Sequence, residues 1–178
     1  KMKKYLHFDK RIDIQKDERM QVNIQDPSWI ASYAFLPSIH FELVFKKYIT
    51  LKNEKGEKYK KKDRKPREIY YAAHKDSLIY KYYGDLLNDA YNDYASENGI
   101  NDIAVAYRNN KRGKNNIDFA YEVFNFLLKQ DQAIVIALDF KSFFDNIDHR
   151  SLKQKLKSVL NVEELPKDWY KIYKNITR

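Results

Sequence analysis

The chain has 178 residues, 43% of them hydrophobic and 15% aromatic, enough for a folded core and too apolar for generic disorder. It has no cysteine, which excludes disulfides and thiolate metal sites and fits a reducing, cytoplasmic setting. No apolar run approaches the ~18 residues of a membrane span, and the opening K-M-K-K-Y-L-H-F-D-K lacks a signal-peptide core, so the expectation is a soluble protein with no membrane partner.

The formal charge is +9, and most of it is local. Between Lys46 and Arg67 stand eleven Lys or Arg against Glu54, Glu57 and Asp63. Such a concentration suits a polyanion, most simply nucleic acid. From charge alone, a solvated basic loop is an equal alternative.

In chain order, residues 1–25 are polar, with weak alternation at Ile12, Ile14, Val22 and Ile24, and read as a loose opening segment or a short strand. Asp26-Pro27-Ser28 marks a turn or helix start, followed by W-I-A-S-Y-A-F-L. Ile39, Phe41, Leu43 and Phe45 alternate with His40, Glu42, Val44 and Lys46, the pattern of a half-buried strand. A turn around Gly56 and a second strand from Arg64 to Ala72 complete an antiparallel hairpin with a basic tip.

A helix follows from Asp76, its apolar face carried by Ile79, Tyr82, Tyr83, Leu86, Leu87, Ala90 and Tyr94, and Asn98-Gly99 ends it. Ile103 to Arg108 reads as a short strand or extended segment, and Ile117 to Leu128 as a helix. Ala133 to Leu138, with β-branched Ile134, Val135 and Ile136, has the length and bulk of a strand buried on both faces. Helices near 149–160 and after Pro166 close the chain. The fold class expected is α+β, with a hairpin-bearing region over 1–75 and a region over 76–178 holding the helices and the buried strand.

The buried run ends on Asp139, with Asp145 six residues later and Phe143 and Phe144 between them. A carboxylate at a strand end is a hard ligand, well placed for a divalent metal. An Asp at that place also commonly caps the following helix, as Asp148 does before Leu152 and Leu156. Aromatics at the spacing of Phe144 are more often core than part of a site.

The whole string D-F-K-S-F-F-D-N-I-D-H closely resembles the first catalytic palm motif of reverse transcriptases of the group II intron, retron and other bacterial kinds. K-P-R (Lys65, Pro66, Arg67), before I-Y-Y-A-A-H-K-D-S-L-I-Y, resembles the K-x-R of the family's fingers, especially in enzymes linked to phage defence. A-Y-R at 106–108 with N-I-D-F-A at 116–120 looks like the block before the catalytic strand, although packing and a surface charge explain Tyr107 and Arg108 equally well.

The resemblance covers about residues 38–178 and implies reverse-transcriptase fingers with the first part of a palm. It implies two-metal nucleotidyl transfer with Mg²⁺, or Mn²⁺ in its place. Asp139 would bridge both ions, helped by the Phe140 carbonyl. Lys65 and Arg67 would hold the triphosphate, and Phe144 would reject a 2′-hydroxyl. Partners would be an RNA template, a DNA or RNA primer and deoxynucleoside triphosphates, with Lys58, Lys60, Lys61, Lys62 and Arg64 on the nucleic acid. The family's aromatic-x-Asp-Asp hairpin does not occur in these 178 residues. The expectation is therefore the N-terminal part of a longer polymerase, inactive alone. The alternative is a non-catalytic nucleic-acid-binding module that uses the basic hairpin.

Overall fold

The computed structural model describes residues 5–177, with the side chain of Lys65 outside the description. The fold is mixed α and β: α1 (Glu18–Gln25), α2 (Pro27–Ser32), β1 (Ile39–Lys52), β2 (Lys58–Tyr71), α3 (His74–Glu97), α4 (Asn116–Leu127), α5 (His149–Val159) and α6 (Lys167–Ile176). Single 3₁₀ turns stand at Ile14–Lys16 and Phe144–Asn146. Two compact units divide the chain, the first ending at Tyr80 and the second starting at Lys81. Among the described residues, no helix is long and apolar enough to cross a membrane.

In the first unit, short helices are set by their caps. Asp17 accepts from the Met20 amide at 2.9 Å and starts α1, while Asp26 accepts from the Ser28 amide at 2.8 Å ahead of Pro27. This departs from the loose or extended reading of residues 1–25. The alternation at Val22 and Ile24 misled, because the helical spacing of Met20 and Ile24 puts both in the core and leaves Val22 exposed.

The hairpin grows from a base tied together by two carboxylates. Asp76, in the first turn of α3, accepts from the Tyr33 hydroxyl at 2.8 Å and from the Leu36 amide at 2.9 Å. Asp9 reaches across sequence to the same helix start, accepting from the amides of His74 (3.0 Å) and Lys75 (2.9 Å) and from His74 Nδ1 (2.7 Å). Tyr5 stacks on Tyr71 and His74, and its hydroxyl donates to the Ala72 carbonyl at 2.7 Å. Ala73, Ile79 and Ile30 are fully buried around this base.

From there β1 and β2 pair without a bulge, from Ile39 opposite Tyr71 to Lys52 opposite Lys58. Both strands outrun their apolar pattern, which suggested only 39–45 and 64–72. The turn explains the extension. Asn53 Oδ1 accepts from the amides of Lys55 and Glu57, and Gly56 takes φ +79°, so pairing propagates from a closed loop through charged residues. On β1, Ile39 and Phe41 at the base and Ile49 and Leu51 near the tip are half-buried, and the stretch between them is exposed. Beyond Phe41, Leu43 and Phe45 are exposed, since the described residues provide no second layer there.

In the second unit, Tyr83 of α3 is buried, with its ring 4.9 Å from Trp169 and its hydroxyl donating to Asp168 at 2.7 Å. Tyr173 ties α6 to α5 by donating to the His149 carbonyl at 2.8 Å. A capping box formed by Asn115 and Asp118 starts α4, and Asp148 starts α5 by accepting from the Ser151 amide at 2.7 Å. After α3, Gly99 at φ +68° lets the Ile100 amide return to the Ala95 carbonyl at 2.9 Å.

The strand expected at 133–138 does not form, and neither does the short strand or extended segment expected at 103–108. Residues 103–108 are a succession of turns, and residues 133–140 have no regular structure. The run expected to be doubly buried is exposed, with Ile134 at 92%. Apolar bulk does not make a strand by itself. A ladder needs a partner, and the two strands among the described residues already pair with each other.

The two basal carboxylates respond oppositely to pH. Burial would raise the Asp9 carboxyl, but the Lys75 and His74 amides and the His74 ring outweigh it and hold it below its ordinary value of 3.8. Burial raises Asp76 above 3.8 despite its two donors. Asp9 thus gives stability present above pH 3.8 and lost as pH falls through its depressed value. The Asp76 contribution is present below 3.8 and lost as pH rises through its raised value. Asp9→Asn is expected to cost about 1–2 kcal/mol near neutral pH through the weakened helix cap. In urea unfolding its difference from the parent should close at acid pH, once the parent carboxyl is itself protonated.

Candidate functional site

The candidate residues fall in both units. In the first, hairpin register decides which side chains share a face. Paired residues point the same way and alternate along each strand, so Arg67 lies on one face with Leu43, its partner in the ladder, and with Phe45, whose ladder partner is position 65. The Arg67 guanidinium sits 5.1 Å from the centre of the Phe45 ring, a cation–π contact that holds its fork on the apolar side. Lys61 belongs to this same face, whereas Lys58, Lys60, Lys62 and Arg64 belong to the opposite one. The basic cluster that looks uniform in sequence is therefore split in two.

In the second unit, Asp139, Phe140, Ser142, Phe143, Phe144 and Asp145 line an open depression of about 580 Å³. Its wall is a tight turn. Ser142 takes φ +52°, a costly conformation for a residue with a side chain. The Asn146 side chain donates to the Ser142 carbonyl at 2.8 Å, and the Asn146 amide donates to the Phe143 carbonyl at 3.2 Å. Phe143 stands edge-on to Phe144 at 5.5 Å and tilted to Phe140 at 6.1 Å. Phe144 is 81% exposed, which removes the core reading of this ring.

Asp139 occupies an exposed loop rather than the end of a buried strand. Asp145 sits in the 3₁₀ turn beside it and caps no helix; that role belongs to Asp148, whose carboxyl is held low by its bonds to the Ser151 side chain and amide. Among the described residues no three His, Cys, Asp or Glu gather as a metal cluster. One carboxylate and a main-chain carbonyl are nonetheless donors of the kind Mg²⁺ accepts, since it takes one or two carboxylates and completes its shell with phosphate and water.

Tyr107 and Arg108, inseparable in sequence, separate in the structure. Tyr107 is exposed at φ +58°. Arg108 is buried: its guanidinium donates to Asn92, to the Ala104 carbonyl at 2.9 Å and to Asn101 at 2.9 Å, and lies 5.1 Å from the Tyr91 ring. It is a brace for the loop after α3.

Sequence reasoning passed over Tyr48, 64% exposed in the middle of the basic face that carries Lys62 and Arg64. The odd–even alternation through the charged stretch is the signal that finds it.

Urea unfolding separates the two kinds of residue. Phe144→Ala is expected to stay within about 0.5 kcal/mol of the parent, as for an exposed side chain. Arg108→Ala should cost about 1–3 kcal/mol, because it leaves partly buried acceptors unpaired.

Comparison with protein-family models and with curated proteins finds no match.

Proposed function

We propose that this chain forms the fingers and first palm segment of an RNA-directed DNA polymerase. The reading is carried by the string from Asp139 to His149, in which a carboxylate, a main-chain carbonyl and an exposed aromatic ring line one depression. Asp139 and the Phe140 carbonyl would hold Mg²⁺ or Mn²⁺. The bound ion supplies charge neutralisation on the phosphates and acidifies an attacking hydroxyl. Phe144 would pack against the sugar of an incoming deoxynucleotide and would reject a 2′-hydroxyl. Lys65 and Arg67, two residues apart on β2, would grip its triphosphate, the Arg as a bidentate fork and the Lys as a point charge. An RNA template and a DNA or RNA primer are the implied partners, and phage defence is the biological setting the sequence around 72–83 favours. The reading requires further carboxylates, which these 178 residues do not supply in an aromatic-x-Asp-Asp motif.

The test is deoxynucleotide incorporation by the longest natural chain that carries this segment, with Mg²⁺ or Mn²⁺, with and without template and primer. Asp139→Asn should lower incorporation about a thousandfold, the equivalent of several kcal/mol of lost charge stabilisation. Equal rates in parent and variant would overturn the assignment.

A second reading, a nucleic-acid-binding module without chemistry, is favoured by one observation: the most basic stretch is a solvent-exposed hairpin arm. The same experiment separates the two, since the module binds oligonucleotide and incorporates nothing.

A further inference from the structure

The pairing of β1 with β2 sorts the basic hairpin by parity. In its outer half the even-numbered face carries Lys46 opposite Arg64, Tyr48 opposite Lys62, Thr50 opposite Lys60 and Lys52 opposite Lys58. Six of these eight positions are cationic and none is acidic. The odd-numbered face at the same level is mixed: Lys47 stands opposite Asp63, Lys61 opposite Ile49, Lys65 opposite Phe45 and Leu51 opposite Tyr59, three cations with one acid and four apolar or aromatic residues. None of the six cations forms an ion pair among the described residues. The turn acids lie past the end of the ladder, and the Glu57 carboxylate there accepts from Asn53 Nδ2 at 2.8 Å.

This face works against the hairpin's own stability. Lys52 facing Lys58 and Lys46 facing Arg64 are like charges directly opposed, an arrangement that destabilises a sheet. Along β2 the cations Lys58, Lys60, Lys62 and Arg64 recur every second residue, about 6.8 Å apart, while β1 adds Lys46 and Lys52 at the two ends of the face. That repeat is close to the separation of successive phosphates in an extended single strand of nucleic acid. A ligand with that charge spacing would relieve the repulsion along the whole face. Tyr48, exposed among the cations, offers a ring on which one base can stack.

We infer that the even-numbered face of the hairpin, from Lys46 and Arg64 out to Lys52 and Lys58, is a track for single-stranded nucleic acid, separate from the face that carries Arg67. The site holds the phosphates of about three or four nucleotides, as its length of about 20 Å requires, and Tyr48 takes one base. Sparse apolar surface on this face argues against insertion into a lipid surface. The inference takes from the proposed function only that the ligand is a nucleic acid, and it deepens that reading by assigning the two faces to different parts of the substrate.

Fluorescence anisotropy of a labelled 20-nucleotide oligouridine with the 178-residue chain, titrated across KCl concentration, tests it. Two charge-matched variants are compared, Lys60→Gln/Lys62→Gln on the even face and Lys47→Gln/Lys61→Gln on the odd. The even-face variant should lower the slope of log affinity against log salt by about 1.4, the value for two lost phosphate contacts on a single strand. The odd-face variant should lower it by less than half as much. Tyr48→Ala should weaken binding about tenfold with the slope unchanged.

Equal slopes in the two double variants would overturn the inference, showing that net charge rather than the face binds. So would equal affinity for a 20-base-pair duplex, or preference for phosphatidylserine vesicles. All three variants keep Asp139. In the longer natural chain, incorporation unchanged by Asp139→Asn with the face difference intact would sink only the polymerase reading, and equal slopes with incorporation that requires Asp139 would sink only the track.

Discussion

The hairpin depends on Asp76. Its two carboxylate oxygens are spent on Tyr33 and on the Leu36 amide, just ahead of β1, while its own backbone opens the helix that follows β2. The one side chain therefore joins the chain entering the sheet to the chain leaving it. An apolar residue of the same size could fill the space but could not dictate which amide approaches. A buried carboxylate with two directional partners fixes that geometry, and removing either donor would leave it uncompensated. The burial that makes the clamp specific also raises the Tyr33 phenol, whose hydrogen bond to Asp76 then adds to the shift. Asp9 gives the same helix start the acceptor that its free amides need.

Elements whose information is local were legible. The helix over α3 could be read from its apolar stripe, α5 from Asp148 and its spacing, and the hairpin from alternation and the Gly56 turn. What failed depended on partners distant in sequence. Ala133 to Leu138 has every local mark of a central strand, but β-propensity expresses packing against neighbours, and in the described residues those neighbours are missing. At 14–25 the weak alternation hides a helix whose start is decided by one cap, Asp17.

For the candidate site, the motif singles out residues but says nothing of their surroundings. Asp139 and Phe144 could be picked out by their motif, and the structure adds that both lie open at one depression whose turn is held by Asn146. Lys60, Lys61 and Lys62 are adjacent in sequence and look equivalent. Register alone places the middle one on the other side of the sheet. Arg108 shows the converse: a charge that looked available is consumed by Asn92, Asn101 and a main-chain carbonyl.

The exposed run at 133–138 has a colloidal consequence. Seven consecutive uncharged residues, Gln132 to Leu138, include three β-branched ones whose backbone groups take part in no ladder, the composition that seeds intermolecular cross-β stacking. Asp131 and Asp139 bracket this window and act as its gatekeepers, since stacked copies would bring their carboxylates into register and repel. Neutralising Asp139 lengthens the uncharged window as far as Lys141. The carboxylate that marks the candidate metal site is therefore also one of the two charges that keep neighbouring molecules apart.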